Sequence, residues 1–443
     1  MMSTMTSLLI SILVLTGLMV CGVPMPMAFG SAVVWIITTL GINSATVCQA
    51  GYSSITSYVL LAIPLFTIGG ALMSNSRIGS SIVDWFETIL GRLKACLIPV
   101  SACAFALFGA VSGSGMAVMS CLTPILFPRM KEKNYPVEAV AAVMCCAAPL
   151  GLLIPPSVIQ IMYAWSANCS VLTCFLSIVT PGLTCTLLLC IVGRILALWK
   201  RPDLPSAPKQ SPSQYMRTLA RTTGKSLPGL FMPIIVLGGI YSGLMTTTES
   251  AATAAVYTLI LAVFIFREVK ARHFVNFMAD AGVTSGVVMC NVFFIMVFSR
   301  LLLQEGLPNY ILDILLSISD NRWVIMIMIN LFMVLLGMLM DDTCACLLVA
   351  TILAPVVVEL GFSPYQFAAI VGVNLGMGCI TPPTAPFLYM SSRLTGVPVK
   401  DMMKDVMILL ATVYLPVLII TVAFPNFSLW LPKLVLGAKF SMF

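Results

Sequence analysis

The sequence predicts an all-α polytopic membrane protein: an inverted repeat with about five crossings and one re-entrant hairpin in each half. Three observations carry this prediction. First, the 443 residues are 60% hydrophobic and 9% charged, with a mean hydropathy of +1.05. Soluble domains carry about 25% charged residues, so this chain cannot cover a water-facing surface. At about 20 residues per spanning helix, its apolar content supplies roughly ten or more membrane segments. Second, Lys and Arg gather on alternate segments between the apolar runs. Third, one stretch of about thirty residues has a diverged second copy that keeps key Pro and Gly positions. Soluble-enzyme and nucleic-acid-binding classes are excluded, and the net charge of +7 reports topology.

The apolar runs follow in order. The first is 7–23; the preceding residues carry no Lys or Arg, so the basic start of a signal peptide is missing and the run is expected to be a retained helix. Next come 26–48 and 55–74. Residues 77–94 carry Ile78, Ile82, Trp85, Phe86, Ile89 and Leu93 at helical spacing, with Asp84, Glu87 and Arg92 off that stripe. This is the pattern of an interfacial arm helix. The runs 95–111 and 115–127 are too short to span comfortably and meet at Ser112-Gly113-Ser114-Gly115, so they are read as a re-entrant hairpin of about 95–127. Two crossings follow, 137–165 and 170–198. The Pro- and Ser-rich stretch 201–214 marks a linker at 199–225 between a first repeat, 1–198, and a second, 226–443.

The second half repeats the plan. Its runs are 226–245, 250–266 and 281–303, then an arm at 304–320 with Leu307, Ile311, Ile314 and Ile318 at helical spacing. A hairpin of about 323–358, broken at Met340-Asp341-Asp342, and the runs 366–392 and 406–424 complete it. Residues 127–156 align with 354–383 at an offset of 227, placing Gly151 on Gly378 and Pro155-Pro156 on Pro382-Pro383. With the N-terminus outside, nineteen of the 23 Lys and Arg fall on inside segments, and Arg300, Arg322, Lys433 and Lys439 remain. An odd number of crossings per half inverts the second copy. Inverted repeats with broken helices are the architecture of secondary transporters.

Candidate chemistry sits at the breaks. The tip Ser112-Gly113-Ser114-Gly115 exposes backbone amides and carbonyls at membrane depth, able to ligate Na⁺ or hold a carboxylate, unless it is only a tight loop. The repeated element 151–156 and 378–383 frees carbonyls by placing Pro in a helix, and Thr381 adds a hydroxyl beside the second break. Asp341 and Asp342 are carboxylates at depth, which mark ion paths or else solvated tip residues. Thr246 and Glu249 match a capping box, a sufficient structural role. Asn291 and Asn374 fit interhelical hydrogen bonding, and Arg300 fits snorkelling to the outer interface. The one histidine, His273, falls in a charged inner loop. No CxxC or Cys/His spacing suits a metal, and most of the fifteen cysteines lie in apolar runs as small hydrophobes. An intramembrane hydrolase would need a nucleophile–base pair or a metal helix, which one loop histidine cannot supply. A channel would not require paired breaks and arms.

At these residues the chain resembles a known family. FGAVSGSGMAV, PRMKEKNY and GLLIPPS in the first half, with GGIYSGLMTTTESAA, GMLMDD, VNLGMGCITPP and FPNFSLWLP in the second, resemble the large membrane subunit of TRAP (tripartite ATP-independent periplasmic) transporters. The resemblance implies an elevator-type, Na⁺-coupled importer of a small organic acid anion, with scaffold and transport parts. It implies a multi-pass protein of the bacterial inner membrane, no organic cofactor, and two partners: a small membrane subunit and a periplasmic substrate-binding protein. By residue, it places the substrate near Ser112, Gly113, Ser114, Gly115, Pro155, Pro156, Asp341, Pro382 and Pro383. It places Na⁺ near Ser112, Ser114, Gly151, Gly337, Asp341, Gly378 and Thr381. Asp342 departs from the uncharged residue or proline that the family often has there. The alternative is a carboxylate transporter of a related inverted-repeat family that works without a binding protein.

Overall fold

The computed structural model describes residues 4–74, 76–204, 211–265 and 271–437; side chains at 4, 74, 212, 263, 265, 271–277 and 280 are not described. Every regular element among them is helical. The first half runs α1 (Thr4–Val20), α2 (Met25–Leu40), α3 (Ser44–Ile55), α4 (Ala62–Ser74) and α5 (Ile78–Leu90). It continues with α6 (Leu97–Ser112), α7 (Gly115–Glu132), α8 (Val137–Ala147), α9 (Leu150–Leu153), α10 (Val158–Ser166) and α11 (Val171–Lys200). The second half runs α12 (Pro212–Tyr241), α13 (Thr247–Ile260), α14 (Ala271–Gln304), α15 (Leu307–Ile318), α16 (Arg322–Leu339) and α17 (Asp342–Glu359). Then come α18 (Pro364–Gly378), α19 (Pro386–Thr395), α20 (Val399–Leu409), α21 (Leu415–Ala423) and α22 (Pro425–Leu436).

The offset of 227 extends well beyond the matching string. It carries α7 onto α17 residue for residue, and α6, α8, α10 and α11 onto α16, α18, α19 and α20–α21 within a few residues. The expected arm helices are α5 and α15, and the expected hairpins are α6–α7 and α16–α17. At about 1.5 Å per residue the 16- and 18-residue hairpin arms reach about 24–27 Å; α16 and α17, unlike α6 and α7, are each long and apolar enough to cross a membrane.

Four boundaries differ from the sequence reading. The run 26–48 is two helices, because Gly41 ends α2 at φ 67 and the Asn43 side chain caps α3. α3 then bends by 55° into the 58–73 helix as one broken span. Within the expected linker, helix begins at Pro212, where Ser211 and Gln214 form a capping box; residues 205–210 lie outside the described residues. His273 lies in the first turn of α14 rather than in a loop. The run 366–392 stops at Gly378 and resumes at Pro386.

Packing divides the helices into two groups. In one, α1 packs on α2, α13 on α4 and α12, and α14 on α2, α3 and α4. In the other, hairpin and break elements interlock across the repeat: α7 packs on α19, and α17 on α10. α5 touches both groups, lying on α12 and also on α6 and α7. Hydrogen bonds pin it to α12, from Trp85 Nε1 to Thr223 Oγ1 at 3.0 Å and from Ser226 Oγ to the Ser81 carbonyl at 2.7 Å. Arg129 and Lys133 at the end of α7 pair with Asp84 (2.7 Å) and Glu87 (2.6 Å) on its other side.

Candidate functional site

The first hairpin turns because Gly113 adopts φ 62, a left-handed conformation that costs glycine nothing, and its N–H closes α6 on the Gly109 carbonyl at 2.9 Å. This tip presses on the first break. The Val158 amide donates to the Gly113 carbonyl at 3.4 Å, and a Cβ on Gly113 would stand 3.0 Å from the Pro156 oxygen. Pro155, Pro156 and Ser157 are buried, and the Pro155-Pro156 peptide is cis. Three glycines bring the backbones together: a Cβ on Gly109 would lie 2.5 Å from Gly151 Cα, and one on Gly151 would lie 3.1 Å from Gly115 Cα. No side chain fits between α6, α7 and α9 there, so backbone faces backbone.

The second unit has the same plan with different chemistry. Met340 ends α16, and Asp341 caps α17 by accepting the Cys344 amide at 2.8 Å. Gly337 and Gly378 approach closely, a Cβ on Gly337 falling 3.0 Å from Gly378 Cα. The cis Pro382-Pro383 peptide follows. Thr381 donates its hydroxyl to the Met377 carbonyl of its own helix at 2.8 Å, leaving its oxygen lone pairs free. The Thr384 hydroxyl donates to the Met338 carbonyl, tying the second break to the second hairpin. Pro383 and Thr384 are exposed.

A cavity of about 330 Å³ lies between the two helix groups, at the small end of the roughly 300–1,000 Å³ range of small-molecule sites. Ser112, Gly113 and Ser114 line one wall, Thr67 and Thr284 of α4 and α14 the facing wall, and Asp342 and Thr343 of the second hairpin a third. The starts of α7, α10 and α17 all border this cavity. Helix N-termini carry unpaired amides and partial positive charge. No Lys, Arg or His lines the cavity; its one charged side chain is Asp342. Such a space attracts an anion through helix ends and presents hydroxyls and one carboxylate to a cation or donor.

The structure therefore gathers Ser112, Gly113 and Ser114 at the cavity, with Gly115, Gly151, Pro155 and Pro156 packed directly behind them. Gly337, Gly378, Thr381, Pro382 and Pro383 form a separate cluster outside its lining. Asp341 serves as a helix cap, whereas its neighbour Asp342 faces the cavity. Of the other candidates, Thr246 and Glu249 form the expected capping box. Asn374 hydrogen-bonds Asn330 across α18 and α16, as interhelical contacts require. Arg300 lines a second cavity, between α3 and α14.

Several residues escape sequence reasoning. Ser157 is fully buried at the start of α10, and its hydroxyl has no hydrogen-bond partner among the described residues. Its place directly after the Pro-Pro break is the signal that points to it. Gly70 of α4 faces tip residue Ser112, whose Cβ would lie 2.9 Å from a Cβ on Gly70, and no local pattern marks that contact. Asp405 is 1% exposed and pairs with Lys200 at 2.6 Å, making it more buried than the hairpin aspartates.

Comparison with known proteins places these features. The family described as "Tripartite ATP-independent periplasmic transporter, DctM component" matches residues 12–427. The chain is 32% identical to the C4-dicarboxylate TRAP transporter large permease protein DctM of Pseudomonas aeruginosa, over 85% of this chain and 86% of that one. It is 30% identical to the sialic acid TRAP transporter large permease protein SiaM of Vibrio cholerae, over 95% and 97%. It is also 30% identical to the isethionate TRAP transporter permease protein DctMQ of Oleidesulfovibrio alaskensis, over 92% of this chain and 63% of that one. Among solved structures, the Alcanivorax borkumensis YdaH transporter matches with a TM-score of 0.62 at 15% identity, over 87% and 88% of the two chains, a likeness of fold.

Proposed function

Because the chain belongs to the DctM family of TRAP large permease subunits, we propose that it imports a small organic acid anion coupled to Na⁺. It works with a small membrane subunit and a periplasmic binding protein that delivers the substrate, as a multi-pass protein of the bacterial inner membrane. The family makes it a transporter rather than an enzyme. Relatives named for C4-dicarboxylates, sialic acid and isethionate all handle organic acids, which supports the substrate class.

The observation that carries this reading is the cavity on which three helix N-termini converge without any cationic side chain. An anion entering it is met by the positive ends of the α7 and α10 dipoles, while the first amides of α17 are taken by the carboxylates of Asp341 and Asp342. The remaining charge, together with that of Asp342, calls for a hard cation. Oxygen ligands are at hand in the tip hydroxyls of Ser112 and Ser114 and in the carbonyls around Gly151; Gly337, Gly378 and Thr381 offer a second set, beside which Asp341 holds the tip as a cap. With cation and anion both bound, the hairpin group carries satisfied backbone groups and can move past the α4–α14 group as an elevator.

The decisive experiment is uptake into proteoliposomes holding both membrane subunits, with the cognate binding protein and an imposed Na⁺ gradient. Uptake should require Na⁺, and Ser112→Ala or Thr381→Ala should raise the Na⁺ concentration needed for half-maximal rate. Uptake that follows a proton gradient and ignores Na⁺ overturns the coupling. The topology is tested separately on a background without the native cysteines: Leu434→Cys should react with an impermeant thiol reagent added outside, and Lys404→Cys should not. Outside labelling of position 404 overturns the inverted insertion.

A further inference from the structure

A third cavity, of about 380 Å³, lies between the arm helix α5 and the first half of α12. Arg217, Arg221 and Lys225 line it, spaced four residues apart, so they form one ladder along α12 with steps of about 6 Å. All three side chains are exposed. Asp84 is the one carboxylate in the lining, and it is engaged by Arg129 at 2.7 Å. Among the described residues of the lining, no second acid balances the three positive charges of the ladder.

The ladder stands at an apolar boundary. Beyond Lys225 the helix becomes apolar, and Leu227, Phe231 and Ile234 project outward with 45%, 45% and 62% exposure. A 30-residue helix of about 45 Å exceeds the hydrocarbon thickness by about 15 Å, so the start of α12 with Arg217 and Arg221 stands in the headgroup layer and Lys225 lies one turn deeper. Basic pockets between membrane helices at that depth hold acidic headgroups. The seam also has mechanical importance, because α5 is fixed to α12 by Trp85 and Ser81 and to the first hairpin by Asp84 and Glu87.

We propose that the cleft between α5 and α12 binds the phosphate of an acidic phospholipid through Arg217, Arg221 and Lys225, with the acyl chains lying along Leu227, Phe231 and Ile234. The shared chemistry is a phosphate monoanion; the adjoining apolar flank selects the lipid over free phosphate.

The test uses the full-length protein, delipidated in detergent and titrated with phosphatidylglycerol, phosphatidylcholine or inorganic phosphate. Binding is followed by native mass spectrometry and melting temperature. Phosphatidylglycerol should bind and raise the melting temperature, while the other two leave it unchanged. The triple variant R217Q/R221Q/K225Q should bind phosphatidylglycerol on the order of 100-fold more weakly, and R221Q alone about fivefold more weakly. The variant K400Q/K404Q, which removes exposed cations on α20, should bind as the wild type does. Unchanged affinity in R221Q and the triple variant overturns the site. Stabilisation by inorganic phosphate equal to that by phosphatidylglycerol overturns the lipid assignment.

Discussion

The two hairpin–break units share one backbone plan, yet they solve the same turn by different means. The first tip closes on Gly113 in a left-handed conformation, and the second starts its return helix on the carboxylate of Asp341. The first break is buried, with Pro155, Pro156 and Ser157 all enclosed; the second leaves Pro383 and Thr384 exposed. A Cβ on Gly109 would come within 2.5 Å of Gly151 Cα, whereas across the second pair a Cβ on Gly378 would stand 2.8 Å from Gly337 Cα and one on Gly337 3.0 Å from Gly378 Cα. Both tips reach the central cavity, the first through Ser112, Gly113 and Ser114 and the second through Asp342 and Thr343. A duplicated backbone thus preserves where helices break, while the side chains at each copy decide what each tip presents to the cavity.

The largest expected effect concerns the tight crossings. Gly109→Ala forces a Cβ to 2.5 Å from Gly151 Cα and should cost about 3 kcal/mol. Gly337→Ala meets Gly378 Cα at 3.0 Å and should cost about 1 kcal/mol. Melting of the two purified variants in detergent checks this, and equal losses would remove the asymmetry.

Next comes the division of labour between neighbouring aspartates. Asp342→Asn changes the charge of the cavity wall and should lower uptake by about tenfold, the scale of one charged contact. Asp341→Asn keeps a competent cap and should leave uptake within about twofold of wild type. The family pattern, matched by Asp341 alone, ranks the pair the other way, so parallel uptake assays separate pattern from geometry.

The smallest effect distinguishes the two ways of closing a tip. Asp341→Ala should lose about 1 kcal/mol, with Asp341→Asn near neutral. Gly113→Ala should lose about 1–2 kcal/mol, since alanine disfavours the left-handed region. Melting temperatures of these three variants suffice; a large loss in Asp341→Asn would mean that the carboxylate does more than cap.

Much of the architecture was legible because it is written in one-dimensional patterns. Apolar runs, the Ser112–Gly115 and Asp341–Asp342 interruptions and the 227-residue offset mark helices, hairpins and repeat without any contact being known. Arm helices were legible for the same reason, through the spacing of Ile78, Ile82 and Leu93. Where helices ended inside an apolar run, as at Gly41 and Asn43, hydropathy was blind, because a break of three residues barely changes a running average.

The sequence by itself determined which segments enter the membrane, where they break and which halves correspond, since burial in lipid constrains every residue of a segment at once. Only the tertiary structure decided that Asp342 faces the cavity while Asp341 caps a helix, because Asp341 stands in extended backbone before the helix and turns its carboxylate onto the Cys344 amide, whereas Asp342 is the first helical residue. It alone paired Gly109 with Gly151, Ser112 with Gly70 and α5 with the cation ladder of α12. These contacts join residues far apart in the chain, and no local pattern encodes which surfaces a folded backbone brings together.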